Sequence, residues 1–176
     1  MFQSRLLKKA KKGDDKAFSK LIEQEKIKLF KMALLYMKNE DDALDVVQET
    51  VMKAFIHINT LKEEKYFSTW VTRILINTAL ETIRKKQNIV PINNQIIETE
   101  ITNQHEERID LAGAIRQLDE KYKTVILLRY YKDLTVPEIA ELLECPQGTV
   151  KSNLHRGMIE LKKLLTKGGV KYGEGN

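Results

Sequence analysis

The segment from Thr149 to Arg156 carries polar and basic side chains that can form hydrogen bonds with nucleic acid. In a helix, four of them share one face, at positions i, i+1, i+4 and i+5: Lys151, Ser152, His155 and Arg156. Arginine binds guanine through two hydrogen bonds, lysine can also donate to guanine, and the hydroxyls of Thr149 and Ser152 can reach phosphates. This pattern therefore predicts a surface that reads DNA. The alternative is that these residues form a solvated basic face on a helix whose role is only structural.

The residues around this face have the pattern of a helix-turn-helix. Apolar side chains recur at helical spacing in two segments, about 136–143 and 147–166, which a short turn around Glu144 separates. Thr135 and Glu138 form a T-x-x-E capping box at the start of the first segment. The second helix of such a motif enters the major groove of DNA. Because repressors, response-regulator output domains and transposases all carry the motif, the class of DNA-binding protein stays open at this point.

The rest of the chain is predicted to be helical apart from one irregular stretch. Apolar residues recur at spacings of three and four in four segments of the first half: 3–12, 16–37, 43–58 and 68–86. Residues 88–106 lose this period, contain Pro91 and are rich in asparagine and glutamine, which indicates a linker. We therefore expect an all-α protein with a first helical domain, a linker, a second helical domain and a disordered tail: 1–87, 88–106, 107–167 and 168–176.

The charge of the chain narrows the kind of partner. The 176 residues carry a net charge of +5 and the sequence pI is about 9.1, which favours a polyanionic partner such as DNA. An acidic block from Glu40 to Glu49 is inconsistent with a protein that coats DNA uniformly. The two kinds of charge must therefore serve different surfaces.

Several other features exclude kinds of site and compartment. Cys145 is the single cysteine, so no disulfide framework forms within the chain, as expected in a reducing compartment. His57, His105 and His155 are dispersed without metal-ligand spacing, and no phosphate-binding loop or nucleophile motif occurs. No apolar run has the form of a signal peptide or approaches the roughly 20 residues that span a bilayer. We expect a cytoplasmic, non-catalytic protein with no metal, no cofactor and no inserted membrane segment.

Three strings, in order along the chain, carry a resemblance to one family. The string DDALDVVQETVMKAF at 41–55 resembles the polymerase-binding helix of extracytoplasmic-function sigma factors, and FSTWVTRILINTALETIRK at 67–85 resembles the segment that follows it. The string PQGTVKSNLHRG at 146–157 is similar to the part of that family that recognises the upstream promoter element. The resemblance covers about residues 5–166. It implies that the two domains are sigma regions 2 and 4.

The resemblance implies that the helix over 43–58 binds core RNA polymerase. Its period predicts a buried stripe of Ala43, Val47, Val51, Ala54, Phe55 and Ile58. Asp45, Gln48 and Glu49 lie outside that stripe, at i, i+3 and i+4. An acidic face repels DNA and suits a basic protein surface, which the resemblance names as the clamp helices of the largest polymerase subunit. The alternative is that these acids only favour the helix macrodipole.

The resemblance also assigns six residues to the opened downstream promoter element: Lys65, Tyr66, Phe67, Arg73, Asn77 and Arg84. Aromatic rings stack on unpaired bases, and lysine and arginine hold the backbone. In the family a base is flipped into a protein pocket here, which offsets the cost of unstacking it. Trp70 stays open between a core position and a base contact.

These assignments imply a transcription initiation factor that binds the clamp and flap of polymerase and recognises the −35 and −10 promoter elements. The resemblance further implies an anti-sigma factor, often membrane-anchored, that holds the protein inactive until an envelope stress arrives. The alternative is a free-standing helix-turn-helix regulator that binds DNA without polymerase. The acidic face of the 43–58 helix favours the sigma factor, because a plain regulator has no need of it.

Overall fold

Two helical units make up the chain. The computed structural model describes residues 2–61, 63–89 and 111–167, and in these ranges it contains eight α-helices and no strand. The all-α prediction is confirmed. The two compact units divide between Arg84 and Lys85. Most of the predicted linker, from residue 90 to residue 106, and the predicted tail at 168–176 lie outside the described residues.

The first unit is built from four α-helices and two short turns of 3-10 helix. The α-helices are α1 (Phe2–Ala10), α2 (Asp15–Tyr36), α3 (Glu40–His57) and α4 (Phe67–Ile89), and the turns are Ile58–Thr60 and Glu64–Tyr66. Side chains cap two of the helices, since Asp14 accepts from the Ala17 amide at 3.0 Å and Asn39 accepts from the Asp42 amide at 2.8 Å. Gly13 permits the turn before α2, because its φ of +87° lies in the left-handed region.

Helix α2 lies at the centre of the first unit, where it packs against both α1 and α3. Its side chains Leu21, Leu29 and Met32 are almost fully buried. The buried apolar residues of α4 are Phe67, Val71, Leu75, Ile76 and Ala79. Burying one large apolar side chain stabilises a fold by about 1.5–3 kcal/mol, so these contacts fix the positions of the helices that carry the candidate sites.

The buried face of α3 differs from the predicted stripe. Its buried residues are Ala43, Val46, Thr50 and Ala54. Thr50 can be buried because its hydroxyl donates to the Val46 carbonyl at 2.7 Å, which satisfies the polar group. The burial predicted for Phe55 is wrong: its side chain is 43% exposed, and its ring meets Phe18 edge-on at a centroid distance of 5.1 Å.

The second unit is organised around its last helix. It contains α5 (Leu111–Gln117), α6 (Glu120–Ile126), a π-helical turn (Leu127–Tyr131), α7 (Val136–Leu142) and α8 (Gln147–Lys167). Helix α8 packs against α5, α6 and α7. Its Leu161 and Leu165 join Ala114, Leu118 and Ile126 in one buried cluster. Val150 and Leu161 of α8 face inward, and both side chains are buried.

Helices α7 and α8 form the predicted helix-turn-helix. The Thr135 hydroxyl accepts from the Glu138 amide at 3.4 Å, and the Glu138 carboxylate accepts from the Thr135 amide at 2.8 Å, which is the predicted capping box. Glu144 makes the turn between the helices with a φ of +52°. Gly157 of α8 lets α6 approach closely, since a Cβ at this position would lie 3.0 Å from the Cβ of Tyr122.

Thr135→Ala tests the capping box. The substitution removes a hydroxyl that accepts from the Glu138 amide and donates to the Glu138 carboxylate. We expect it to lower the free energy of unfolding by about 0.5–2 kcal/mol in urea titrations followed by circular dichroism. Thr166→Ala is the matched control, because the Thr166 hydroxyl only donates to carbonyls of its own helix, Lys162 and Lys163, at 3.0 Å. The control is expected to change stability by less than about 0.5 kcal/mol.

Acid weakens the same cap. Hydrogen bonds from the hydroxyl and the amide of Thr135 hold the pKa of Glu138 below its ordinary value of 4.5. Because the folded pKa is lowered, this contribution is present above pH 4.5 and is lost as the pH falls through the folded pKa. The difference between the wild type and Thr135→Ala is therefore expected to shrink in acid. Equal stability of the two proteins at neutral pH would contradict the cap.

Candidate nucleic-acid and protein interfaces

A groove of about 360 Å³ lies between α3 and α4. Trp70, Arg73 and Asn77 line it from α4, where their i, i+3 and i+7 spacing places them on one helix face. Lys53 and His57 line it from α3. The structure thus brings two of the residues predicted for the downstream element, Arg73 and Asn77, into one concave site with a tryptophan beside them.

Lys53 ties the two walls of this groove together. Its Nζ lies 2.9 Å from Glu49 Oε1 on α3, and 2.8 Å from Glu81 Oε2 and 3.2 Å from Thr78 Oγ1 on α4. Partial burial acts to lower the pKa of Lys53, but hydrogen bonds to Glu81 and Glu49 outweigh it, so the net effect raises the pKa above 10.5. The lysine is therefore charged at neutral pH and bridges acidic groups on α3 and α4.

Two polar contacts anchor the segment that leads into α4. The Ser68 hydroxyl donates to the buried carboxylate of Glu25 on α2 at 2.8 Å. The ammonium group of Lys11, which follows α1, donates to the Leu61 carbonyl. Because buried polar groups are costly without partners, these contacts fix the start of α4 against the rest of the unit.

The residues of this segment differ in accessibility. Lys65 and Tyr66 are exposed, and the Lys65 ammonium lies 4.8 Å from the centroid of the Tyr66 ring. Phe67 is not available for the predicted stacking on bases, because its side chain is only 5% exposed and its ring lies 6.0 Å from that of Trp70. Trp70 itself is half-buried, so it both packs and lines the groove. Arg84 is exposed farther along α4.

The outer side of α3 combines acidic, amide and apolar groups. Asp45 and Gln48 are exposed, whereas Glu49 is half-buried and paired with Lys53. Three exposed apolar side chains flank them at four- and eight-residue spacing: Leu44, Met52 and Ile56, the last 63% exposed. The sequence reasoning missed these three, although they are apolar residues outside the predicted stripe. Exposed apolar side chains next to acids favour a protein partner over DNA.

All five residues predicted for the upstream element are exposed on the N-terminal half of α8: Thr149, Lys151, Ser152, His155 and Arg156. The inner side of the same helix is held by the core of the unit. The predicted DNA-reading face therefore lies on a helix that is packed along its other side, as major-groove recognition requires.

A second surface of this unit was also missed from the sequence. Leu111 of α5 and Met158, Ile159 and Leu165 of α8 line a largely apolar groove of about 530 Å³. More than half of the Leu111 side chain is exposed. The periodicity of two helices does not show which of their apolar residues remain uncovered where they meet.

Comparisons with known proteins match both units. The family model described as sigma-70 region 2 matches residues 21–89, and the one described as sigma-70, region 4 matches residues 108–161. The ECF RNA polymerase sigma factor SigW of Bacillus subtilis is 31% identical over 182 residues, which cover 94% of this chain and 97% of SigW. The chain belongs to the sigma-70 family, in its extracytoplasmic-function group. Sigma factors of this family are transcription initiation factors.

Further relatives resemble this sigma factor over most of its length. RNA polymerase sigma factor SigV of Bacillus subtilis is 36% identical over 140 residues, which cover 78% of this chain and 84% of SigV. The fold is shared with CnrH, solved with the cytosolic domain of CnrY, at a TM-score of 0.69 and 22% identity over 95% of this chain and 99% of CnrH. It is also shared with RpoE from Bartonella quintana, solved with the anti-sigma factor NepR, at a TM-score of 0.68 and 24% identity over 86% of this chain and 98% of RpoE.

Neither a metal site nor a membrane span is found in the part of the sigma factor that the structure describes. Within residues 2–61, 63–89 and 111–167, histidine, cysteine and acidic side chains form no group of three that could hold a metal ion. No helix in these ranges is long and apolar enough to cross a bilayer.

The different burial of two neighbouring aromatic residues is testable. We expect Phe67→Ala to lower the free energy of unfolding by about 3–5 kcal/mol, because it leaves a cavity in the core. Tyr66→Ala is the matched control and is expected to change stability by less than about 0.5 kcal/mol, since its ring is exposed. Urea unfolding of both variants measures the difference. A small loss for Phe67→Ala would contradict its placement in the core.

Proposed function

We propose that the three surfaces divide the work of promoter recognition. The outer side of α3 binds the clamp of core polymerase, the groove between α3 and α4 captures the opened downstream element, and α8 recognises the upstream element. The observation that carries the proposal is the groove, because Arg73 and Asn77 meet there next to Trp70. It offers polar groups to a base edge, a cation to the backbone and a ring for stacking.

Polymerase binding is supported by the composition of the outer side of α3. Its exposed acidic and amide groups suit a basic surface, and the apolar Met52 and Ile56 supply area that only a protein partner covers. We propose that the apolar groove of the second unit binds the flap of polymerase, because its apolar side chains also suit a protein partner. We propose that the domain of residues 1–87 carries the contact with the clamp and that the domain of residues 107–167 carries the contact with the flap.

A double substitution tests the contact with polymerase. Gln48→Ala combined with Glu49→Ala is expected to weaken binding to core polymerase by at least about 1–2 kcal/mol, measured by pull-down and by fluorescence titration. The matched control is Glu23→Ala combined with Gln24→Ala, an exposed acid and amide on α2. Equal binding of the two double variants would contradict the assignment of α3.

A single substitution tests the recognition face of α8. Arg156→Ala is expected to lose about 1–3 kcal/mol of discrimination between matched and mismatched upstream elements, because arginine can grip guanine with two bonds. Lys162→Ala, farther along the same helix, is expected to weaken binding to all sequences alike, because a phosphate contact carries no sequence information. It is also expected to lower the slope of log K against log salt by about 1. Unchanged sequence preference in Arg156→Ala would exclude it as a base contact.

We further propose that an anti-sigma factor controls this sigma factor in response to envelope stress. The likeness of the fold to RpoE, which was solved with the anti-sigma factor NepR, supports this. The sigma factor itself is proposed to be cytoplasmic, where polymerase acts, and to catalyse no reaction. No motif for hydrolytic or transfer chemistry occurs in the sequence, in line with a factor that directs another enzyme.

In vitro transcription on a library of random promoters tests the whole proposal. Core polymerase supplied with the purified sigma factor is expected to initiate from a subset that shares an upstream and a downstream element. Absence of initiation would overturn the proposal. Sequence-specific DNA binding without any association with polymerase would instead support a free-standing regulator.

A further inference from the structure

Lys53 lines the groove between α3 and α4, which we call the promoter groove. The proposed function assigns no role to its charge. Its ammonium group contacts three oxygen atoms, one from Glu49 on α3 and two from Glu81 and Thr78 on α4. The side chain is only partly buried and lines the same groove as Arg73 and Asn77. A lysine in a groove that receives a polyanion is thus held by two carboxylates of its own chain.

One of these carboxylates belongs to a second surface. Glu49 lies next to Gln48 on the side of α3 that is proposed to meet polymerase, and Glu81 lies on the wall of the promoter groove. Lys53 is therefore shared between the two binding surfaces. In the isolated chain two carboxylates share the charge of Lys53, which reduces its attraction for a phosphate.

We propose that Lys53 is a promoter contact that becomes available when polymerase binds. A basic group of polymerase pairs with Glu49. The ammonium group of Lys53 keeps its contacts with Glu81 and Thr78 but no longer shares its charge with Glu49, and it then binds a phosphate of the opened strand. This inference rests on the proposed function, because it needs polymerase at α3 and DNA in the groove. The inference adds a phosphate-binding residue on α3. It also explains how the binding of polymerase favours the binding of DNA.

The exchange of partners is physically easy. An accessible ion pair contributes little to stability, so a competing cation can replace Lys53 at Glu49. Lysine is a compact charge on a flexible stem, which can turn from Glu49 toward the groove without movement of the backbone. Each new phosphate contact also releases a counterion. By linkage, DNA in the groove must strengthen the binding of polymerase by the same factor.

The dependence of DNA binding on salt separates this role from a structural one. The probe is a forked fragment of a promoter recovered from the random library, with its downstream element single-stranded. Affinities are measured over a range of salt concentrations for the isolated sigma factor and for its complex with core polymerase. In the complex, Lys53→Met is expected to lower the slope of log K against log salt by about 0.7, the value for one phosphate of a single strand. In the isolated chain the slope is expected to stay unchanged.

Removal of the charge on Glu49 is expected to imitate polymerase. Glu49→Gln raises the slope of the isolated chain by about 0.7, because it removes one of the two carboxylates that share the charge of Lys53, and this gain is absent when Lys53→Met is also present. Lys53→Arg keeps the contact and the slope in the complex. Lys26→Met is the matched control, since Lys26 pairs with Glu23 on the surface of α2, and it changes no slope.

Three results would overturn the inference. An equal fall of the slope with and without polymerase would make Lys53 a permanent DNA contact. No fall in either case, with circular dichroism showing a folded variant, would leave Lys53 as a bridge between α3 and α4 only. Failure of the wild-type complex to bind the forked fragment would overturn the proposed function itself, and this outcome is distinct from the other two.

Discussion

Helix α3 contributes to two surfaces that need opposite chemistry, and the ion network of Lys53 lies between them. Its outer side offers acidic and apolar groups, while its groove side faces the residues of α4 that suit a nucleic acid. The groove keeps its shape only while α3 and α4 keep their spacing. The ammonium group of Lys53 spans this groove, since it bonds to Glu49 on α3 and to Glu81 on α4.

In the second unit, the buried residues and the residues proposed for recognition lie on opposite sides of α8. Val150 and Leu161 face inward and are buried, whereas Arg156 and its neighbours are exposed. A helix that is packed along one side can present polar groups on the other in a fixed geometry. The capping box before α7 and the close approach of α6 at Gly157 fix how α8 is held. In both units, the residues of the candidate sites therefore lie on helices that are packed along one side.

The helices, the turn of the helix-turn-helix and its capping box follow from short-range patterns, and the sequence predicts them well. The faces of those helices are harder to predict. The buried side of α3 includes Thr50, whose hydroxyl bonds to its own helix, and it leaves Phe55 exposed. The role of Lys53 depends on an acid 28 positions later in the chain, Glu81, which no local pattern shows. Contacts between residues that are distant in the sequence, such as that of Lys53 with Glu81, therefore could not be predicted.

The central claim is that acidic and basic surfaces on one chain make promoter binding depend on polymerase. The most direct measurement is the affinity of the purified protein for a promoter duplex at physiological salt, with and without core polymerase. The account predicts nanomolar binding only in the presence of polymerase, since the isolated chain presents its acids to DNA as well as its lysines. Nanomolar, sequence-specific binding by the chain alone would contradict it.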